Sequence, residues 1–203
     1  MRMKKIIAIS GLIGSGKDTA ANLLITKHSF TKIAFADSLK DAVAAIFSWD
    51  RSMLEGSTQE SRAWRETVDD WWAQRLDIPH LTPRWVLQNM GTEVLRNHFH
   101  DDIWVASVER KIHTCGHSVV ITDCRFPNEI AAIKRIGGTT ARIYRGQDPQ
   151  WLELAKSDMG EFRRQYPHVH ASEYSSVNLE YDYYVNNNGT IVELHAQLRE
   201  MLR

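Results

Sequence analysis

The chain is 203 residues long, 43% hydrophobic and 25% charged, a balance that excludes a disordered chain and fits one domain carrying an inserted segment. Twenty-five Lys and Arg against 25 Asp and Glu give a formal net charge of zero, which argues against a generic nucleic-acid coat or a polybasic membrane binder. Two cysteines make no disulfide framework, no apolar run reaches the roughly 18 residues of a membrane span, and the apolar stretch before Gly11 is too short for a secretory leader, so the sequence reads as cytoplasmic.

Residues 5–10 form an apolar run ending at a glycine cluster, the pattern of a buried strand. A helix follows over 17–28 and a second strand over 31–36. Asp37 or Ser38 is placed to cap a helix reaching about Trp49. Residues 50–117 read as helical throughout, and six of the seven tryptophans fall between Trp49 and Trp104. Thr82-Pro83 supplies an N-cap with Pro at the first helical position, and Leu87, Met90 and Val94 keep helical spacing to about His98. Asp101-Asp102 opens another helix that ends near Gly116.

A third strand spans 118–123, a helix 128–136 closes on Gly137-Gly138, and a fourth strand spans 139–144. The polar stretch 146–175 has a helix inside it. A fifth strand covers 181–185, and Thr190-Ile191-Val192-Glu193 is a capping box opening the last helix. Strands alternating with helices imply an α/β fold, a parallel sheet covered on both faces. The gap between strands two and three is too long for one crossover helix and reads as a helical insertion.

Gly11-Leu12-Ile13-Gly14-Ser15-Gly16-Lys17 fits G-x-x-x-x-G-K between a strand and a helix. Glycines let the backbone turn its N–H groups toward an anion, the helix N-terminus adds its dipole, and Lys17 adds a full charge. Ser or Thr usually follows the lysine as a magnesium ligand; here Asp18 stands there, followed by Thr19, and either oxygen suits the ion. The third strand ends in Asp123, an acid for the same metal, and Arg125 follows where it can bridge donor and acceptor phosphates. At 100° per residue Arg84, Gln88, Gly91, Thr92 and Leu95 share a face, and a helix-interior glycine there signals a close approach. That face suits a phosphate and a base edge; the alternative is a helix–helix contact at Gly91. His113-x-Cys115-x-His117 lacks an evident fourth ligand for zinc.

Gly11–Thr19, Phe35-Ala36-Asp37-Ser38-Leu39-Lys40, Thr82-Pro83-Arg84 with Gln88 and Gly91-Thr92-Glu93, and Asp123-Cys124-Arg125-Phe126-Pro127-Asn128-Glu129 together resemble the bacteriophage deoxynucleoside monophosphate kinase family. The resemblance covers roughly residues 5–200. It implies a single P-loop kinase domain over 1–203, a three-layer α/β/α fold with five parallel strands in the order 2-3-1-4-5. Residues 50–117 would be an acceptor-binding insertion and 146–175 a lid-like segment. The activity implied is ATP- and Mg2+-dependent phosphorylation of deoxynucleoside 5′-monophosphates, in the host cytoplasm for a phage enzyme.

On this reading Lys17, Asp123 and Arg125 are catalytic. Gly14, Ser15, Gly16, Lys17, Asp18, Thr19, the lid arginine Arg163 and Asn187 of an adenine-side turn hold ATP, and Asp18, Thr19 and Asp123 hold the metal. Asp37 (or a mere cap), Lys40, Arg84, Gln88, Thr92 and Arg125 hold the acceptor. Trp72 or Trp85 would stack on its base if any tryptophan does. Ile13-Gly14 departs from the basic mid-loop residues that family members often carry. The reading expects no stable nucleic-acid partner and no membrane contact, and it is compatible with a homodimer. The competing activities are a dephospho-coenzyme-A or phosphomevalonate kinase type, and a DNA-processing ATPase or nucleotide switch. The last is disfavoured by the neutral charge and by the lack of Asp-x-x-Gly and Asn-Lys-x-Asp motifs.

Overall fold

The computed structural model describes residues 4–203; Met1, Arg2 and Met3, part of the stretch read above as too short for a leader, lie outside the described residues. The chain runs β1 (Ile6–Ser10), α1 (Lys17–His28) and β2 (Thr31–Ile33). An all-helical stretch follows: α2 (Asp37–Phe47), a 3-10 turn (Met53–Glu55), α3 (Gln59–Glu66), α4 (Asp70–Leu76), α5 (Pro83–Gln88), a π-helical segment (Asn89–Phe99) and α6 (Ile103–Thr114). It returns through β3 (Val119–Ile121), α7 (Pro127–Arg135), β4 (Thr139–Tyr144), three short helices α8 (Trp151–Ser157), α9 (Met159–Gln165) and α10 (Ala171–Tyr174), then β5 (Tyr183–Asn186) and α11 (Ile191–Glu200). Two compact units result: residues 4–34 with Val108–Arg203, and Phe35–Ser107.

The first unit holds the whole sheet. Its order is β2-β3-β1-β4-β5, every pair parallel, as the P-loop reading requires. Side chains alternate across a strand, so Ile7 and Ile9 face one side with Val120, Ala141, Ile143 and Val185. There they meet Ala20, Ala21 and Leu24 of α1 and Leu194 and Leu198 of α11, all buried. Each fully buried leucine contributes about 1.5–3 kcal/mol, so Leu24, Leu194 and Leu198 anchor both helices. Helix α7 packs on β1 and β4 with Ile130 and Ile133 buried. A smaller apolar cluster, Leu152, Ala155, Phe162 and Val177, gathers α8 and α9, with Tyr174 and Leu12 packed against it. The stretch 146–175 therefore folds as three helices around Phe162 where the sequence pattern shows one.

In the second unit the tryptophans build structure. Trp49 stacks on Phe47 at 4.5 Å, Trp72 meets Phe47 edge-on at 4.8 Å, and Trp64 meets Trp49 at 5.8 Å. The indole N–H of Trp49 donates to Asp69 and that of Trp72 to the Phe47 carbonyl, so both polar tips are satisfied. Thr82 caps α5 as expected, accepting from the Trp85 N–H at 3.1 Å. Helix α2 corrects its expectation: Ala36 is the N-cap residue, without a side-chain bond, and Asp37 sits in the first turn, where its charge suits the helix dipole.

A second correction concerns residues 89–99. The α-helix ends at Gln88 and the chain continues as a π-helix, seen in the His100 N–H bonding to the Leu95 carbonyl, five residues back. Gly91 weakens the α ladder, and the Trp104 indole N–H takes the Gly91 carbonyl at 2.8 Å. A wider turn rotates the faces: Gly91 and Arg96 are buried, whereas Val94, placed on the apolar stripe by a 100° period, is exposed.

Candidate phosphate-binding site

Strand β1 lies between β3 and β4, so the loop after Ser10 leaves from the middle of the sheet at its C-terminal edge. The loop is closely built. Gly11 has φ +149, and a Cβ there would strike the Ile143 carbonyl and the Ser15 hydroxyl. Gly16 has φ +96, and a Cβ there would strike the Asn187 carboxamide. Both positions need glycine on conformational and steric grounds. Gly14 lies exposed on the loop, also with positive φ.

Helix α1 begins at Lys17 behind Gly16, with no side chain capping its first turn, so its first N–H groups are unclaimed by any side-chain cap. Ser15 Oγ is buried and has no hydrogen-bond partner. Lys17 Nζ donates to the carbonyls of Gly11 at 2.7 Å and Leu12 at 2.8 Å. Burial and then the nearby Arg125 push its pKa down to about 8, against the pull of Asp18, Glu173 and Asp123. Uncapped N–H groups, an orphan hydroxyl and a cation whose charge is disfavoured form a cradle that an oxyanion satisfies at every point.

Asp18 and Thr19 are exposed on the first turn of α1, with Asp18 paired to Lys32 at 2.9 Å. Asp123 follows β3, the neighbour of β1, and is close enough to act on the Lys17 charge. Cys124 beside it is buried, which raises its thiol pKa well above the ordinary value and leaves it protonated. Two carboxylates shape Arg125. Glu129, buried at the start of α7, accepts from the Arg125 and Phe126 N–H groups at 2.8 and 3.1 Å. Glu173 of α10 accepts from the Arg125 guanidinium at 3.2 Å. An acid at the third position of a helix opened by Pro127, reaching back to the N–H groups before it, was the signal that could have found Glu129; nothing local marks Glu173, 48 residues from Arg125.

Asn187 lies beneath the loop: its Nδ2 donates to the Ser15 carbonyl at 2.9 Å, and its side chain is what makes Gly16 obligatory. Arg163 is exposed, its guanidinium 5.8 Å from the Tyr174 ring centre. An open cavity of about 330 Å³ also lies in this unit, lined by Arg142, Tyr144, Asp148, Lys156 and Tyr184 among others, and none of the loop residues borders it.

Of the residues expected to hold the acceptor, Asp37, Lys40, Arg84, Gln88 and Thr92 lie in the helical unit and Arg125 lies in the unit that holds the sheet. Asp37 pairs with Arg51 at 3.7 Å, Lys40 with Glu55 at 2.7 Å, and Arg84 with Glu66. Gln88 and Thr92 are half-buried, and the close approach signalled by Gly91 is made by the Leu39 side chain, a helix–helix contact. Arg51, not singled out from the sequence, gathers Asp37, Asp41 and Glu55.

No protein-family model matches the chain. A viral protein of Acanthamoeba polyphaga mimivirus, named "Putative deoxynucleotide monophosphate kinase", is 33% identical over 209 residues, covering 95% of this chain and 93% of its own. The chain belongs to the same nucleotide kinase family. It is a phosphotransferase by that membership, with a P-loop fold. Among solved structures, a dephospho-CoA kinase from Campylobacter jejuni is 12% identical, with a TM-score of 0.49 and 98% and 96% of the two chains covered. A shikimate kinase from Bacteroides thetaiotaomicron is 13% identical, with a TM-score of 0.45 and 97% and 95% covered. Likeness at that level assigns no substrate. Among the described residues no helix of this kinase is long and apolar enough to cross a membrane.

Proposed function

We propose that this kinase transfers the γ-phosphoryl group of ATP to a deoxynucleoside 5′-monophosphate. One observation carries the donor side: Lys17, with a lowered pKa, lies in a glycine-bounded loop at an uncapped helix start, with Arg125 as a second cation nearby. Such a field is relieved by a polyphosphate. The name of the mimivirus relative supports the choice of acceptor.

In the reaction an acceptor phosphate oxygen attacks the γ-phosphorus and the bond to the bridging β-oxygen breaks, leaving ADP. The attacking oxygen is already anionic, so no strong general base is needed. Catalysis is positioning and charge stabilisation. Lys17 and the loop N–H groups hold the donor phosphates, with Asn187 bracing the loop and Arg163 closing from the 146–175 segment. Arg125 neutralises the transferring group. Asp123 with Asp18 or Thr19 would hold magnesium, which would supply neutralising positive charge to the donor phosphates. These hard oxygen donors fit the ion, and it takes most other ligands from phosphates and water, so no larger cluster is required. The exposed Asp18–Lys32 pair is worth at most about 1 kcal/mol and exchanges readily.

Asp37, Lys40, Arg84, Gln88 and Thr92 hold the acceptor, with Arg84 and Lys40 exchanging their present carboxylates for its phosphate. The test is a coupled assay with ATP, magnesium and each deoxy- and ribonucleoside monophosphate in turn. Phosphorylation of one or more deoxynucleoside monophosphates is the expected result. Turnover of dephospho-coenzyme A or phosphomevalonate alone, or DNA-stimulated ATP hydrolysis without an acceptor, overturns the reading.

A further inference from the structure

Arg125 is held by other side chains of the protein. Its Nη1 lies 3.2 Å from Glu173 Oε1, 3.3 Å from Ser172 Oγ and 3.5 Å from the Ser172 carbonyl, all three on α10. Glu173 also acts on the Lys17 charge, so one carboxylate serves both cations of the phosphate site. Helix α10 is held from two sides. His170 accepts from the Ser172 N–H at its start, and the Tyr174 ring packs edge-on against Phe162 at 5.0 Å, in the cluster that also receives Leu12 of the phosphate loop. Glu173 is partly buried, with 22% of its side chain exposed, so its charge is screened only in part.

We propose that Glu173 is a built-in stand-in for a donor phosphate oxygen: it holds Arg125 and must yield that arginine when a polyphosphate binds. The idea rests on the phosphate-loop reading and adds to it a positioning residue that works through Arg125. The 146–175 segment thereby senses the donor, because surrender of Arg125 frees α10 from one of its ties. The arrangement sets a cost on donor affinity and keeps a guanidinium aimed while the site is empty.

The experiment is calorimetric titration of the full chain with inorganic tripolyphosphate, without metal, for wild type, Glu173→Gln, Arg125→Ala and the double variant. Removing the competing charge should tighten binding about three- to fivefold, and the gain should be smaller in the Arg125→Ala background, where only the effect of Glu173 on Lys17 and on the anion itself remains. Binding unchanged or weakened by Glu173→Gln, or an equal gain without Arg125, overturns the proposal. A second measurement needs no variant: tripolyphosphate should speed amide exchange at residues 171–174 of the wild type, and unchanged or slower exchange there counts against it. Wild type that fails to bind tripolyphosphate overturns the phosphate-loop reading itself, whereas wild type that binds no differently from Glu173→Gln overturns only the role of Glu173.

Discussion

The two units treat positive charge in opposite ways. In the helical unit each cation assigned to the acceptor already faces a carboxylate: Arg84 faces Glu66, and Lys40 faces Glu55. Burial works against the Glu55 carboxylate, yet Lys40 and Arg51 outweigh it and hold its pKa below the ordinary value. At the phosphate loop Lys17 has backbone carbonyls within hydrogen-bond reach, and burial together with Arg125 makes its charge costly. On the proposed function a highly charged donor would meet a cation held at a loss, and a monophosphate acceptor would meet cations parked in exchangeable pairs.

That contrast can be broken most directly at Lys17. Lys17→Ala should lower kcat/KM by about 10²- to 10³-fold with the fold intact by circular dichroism, and near-normal turnover would remove the donor half of the comparison. The next largest effect is on pH. With a folded pKa of about 8 and an unfolded value of 10.5, Lys17 loses its proton early in the native state, so kcat/KM for ATP should fall about tenfold per unit above about pH 8. Stability runs the other way. The unfolded chain binds this proton more tightly, so the ammonium destabilises the fold below about pH 8, and the penalty is relieved as pH rises from about 8 to 10.5. Lys17→Met should therefore melt above wild type near neutral pH, with the gap closing toward pH 10 in a thermal-shift series. A smaller change sharpens the acceptor half. Arg84→Ala should raise the acceptor KM about tenfold and leave that for ATP unchanged; an effect on ATP instead would dissolve the distinction.

The phosphate-loop motif was legible in the sequence because its determinants are local: glycine spacing, the lysine and a following helix all fall within a few residues. The strands were legible because parallel strands buried on both faces are plain apolar runs, as in Val119–Ile121. Two kinds of feature were hidden. The π-helical turn at Asn89–Phe99 moved Val94 outward, since a period of 3.6 was imposed on a segment where Trp104 engages the ladder. Long-range partners left no local trace either: Glu173 at Arg125 and Asn187 under Ser15 depend on where the chain returns after many residues. Asn187 carried a turn signature that pointed to adenine, while its amide serves the loop backbone.

A heptapeptide loop with a phosphate-binding motif looks portable, a part to be lifted into another scaffold. Here it is not self-contained. Leu12 rests in the apolar cluster around Phe162, supplied by helices far along the chain. Grafting the loop alone would leave that leucine in water and forfeit part of the roughly 1.5–3 kcal/mol that a fully buried one contributes. A transplant that preserves the loop's shape would have to carry its distant cushion with it.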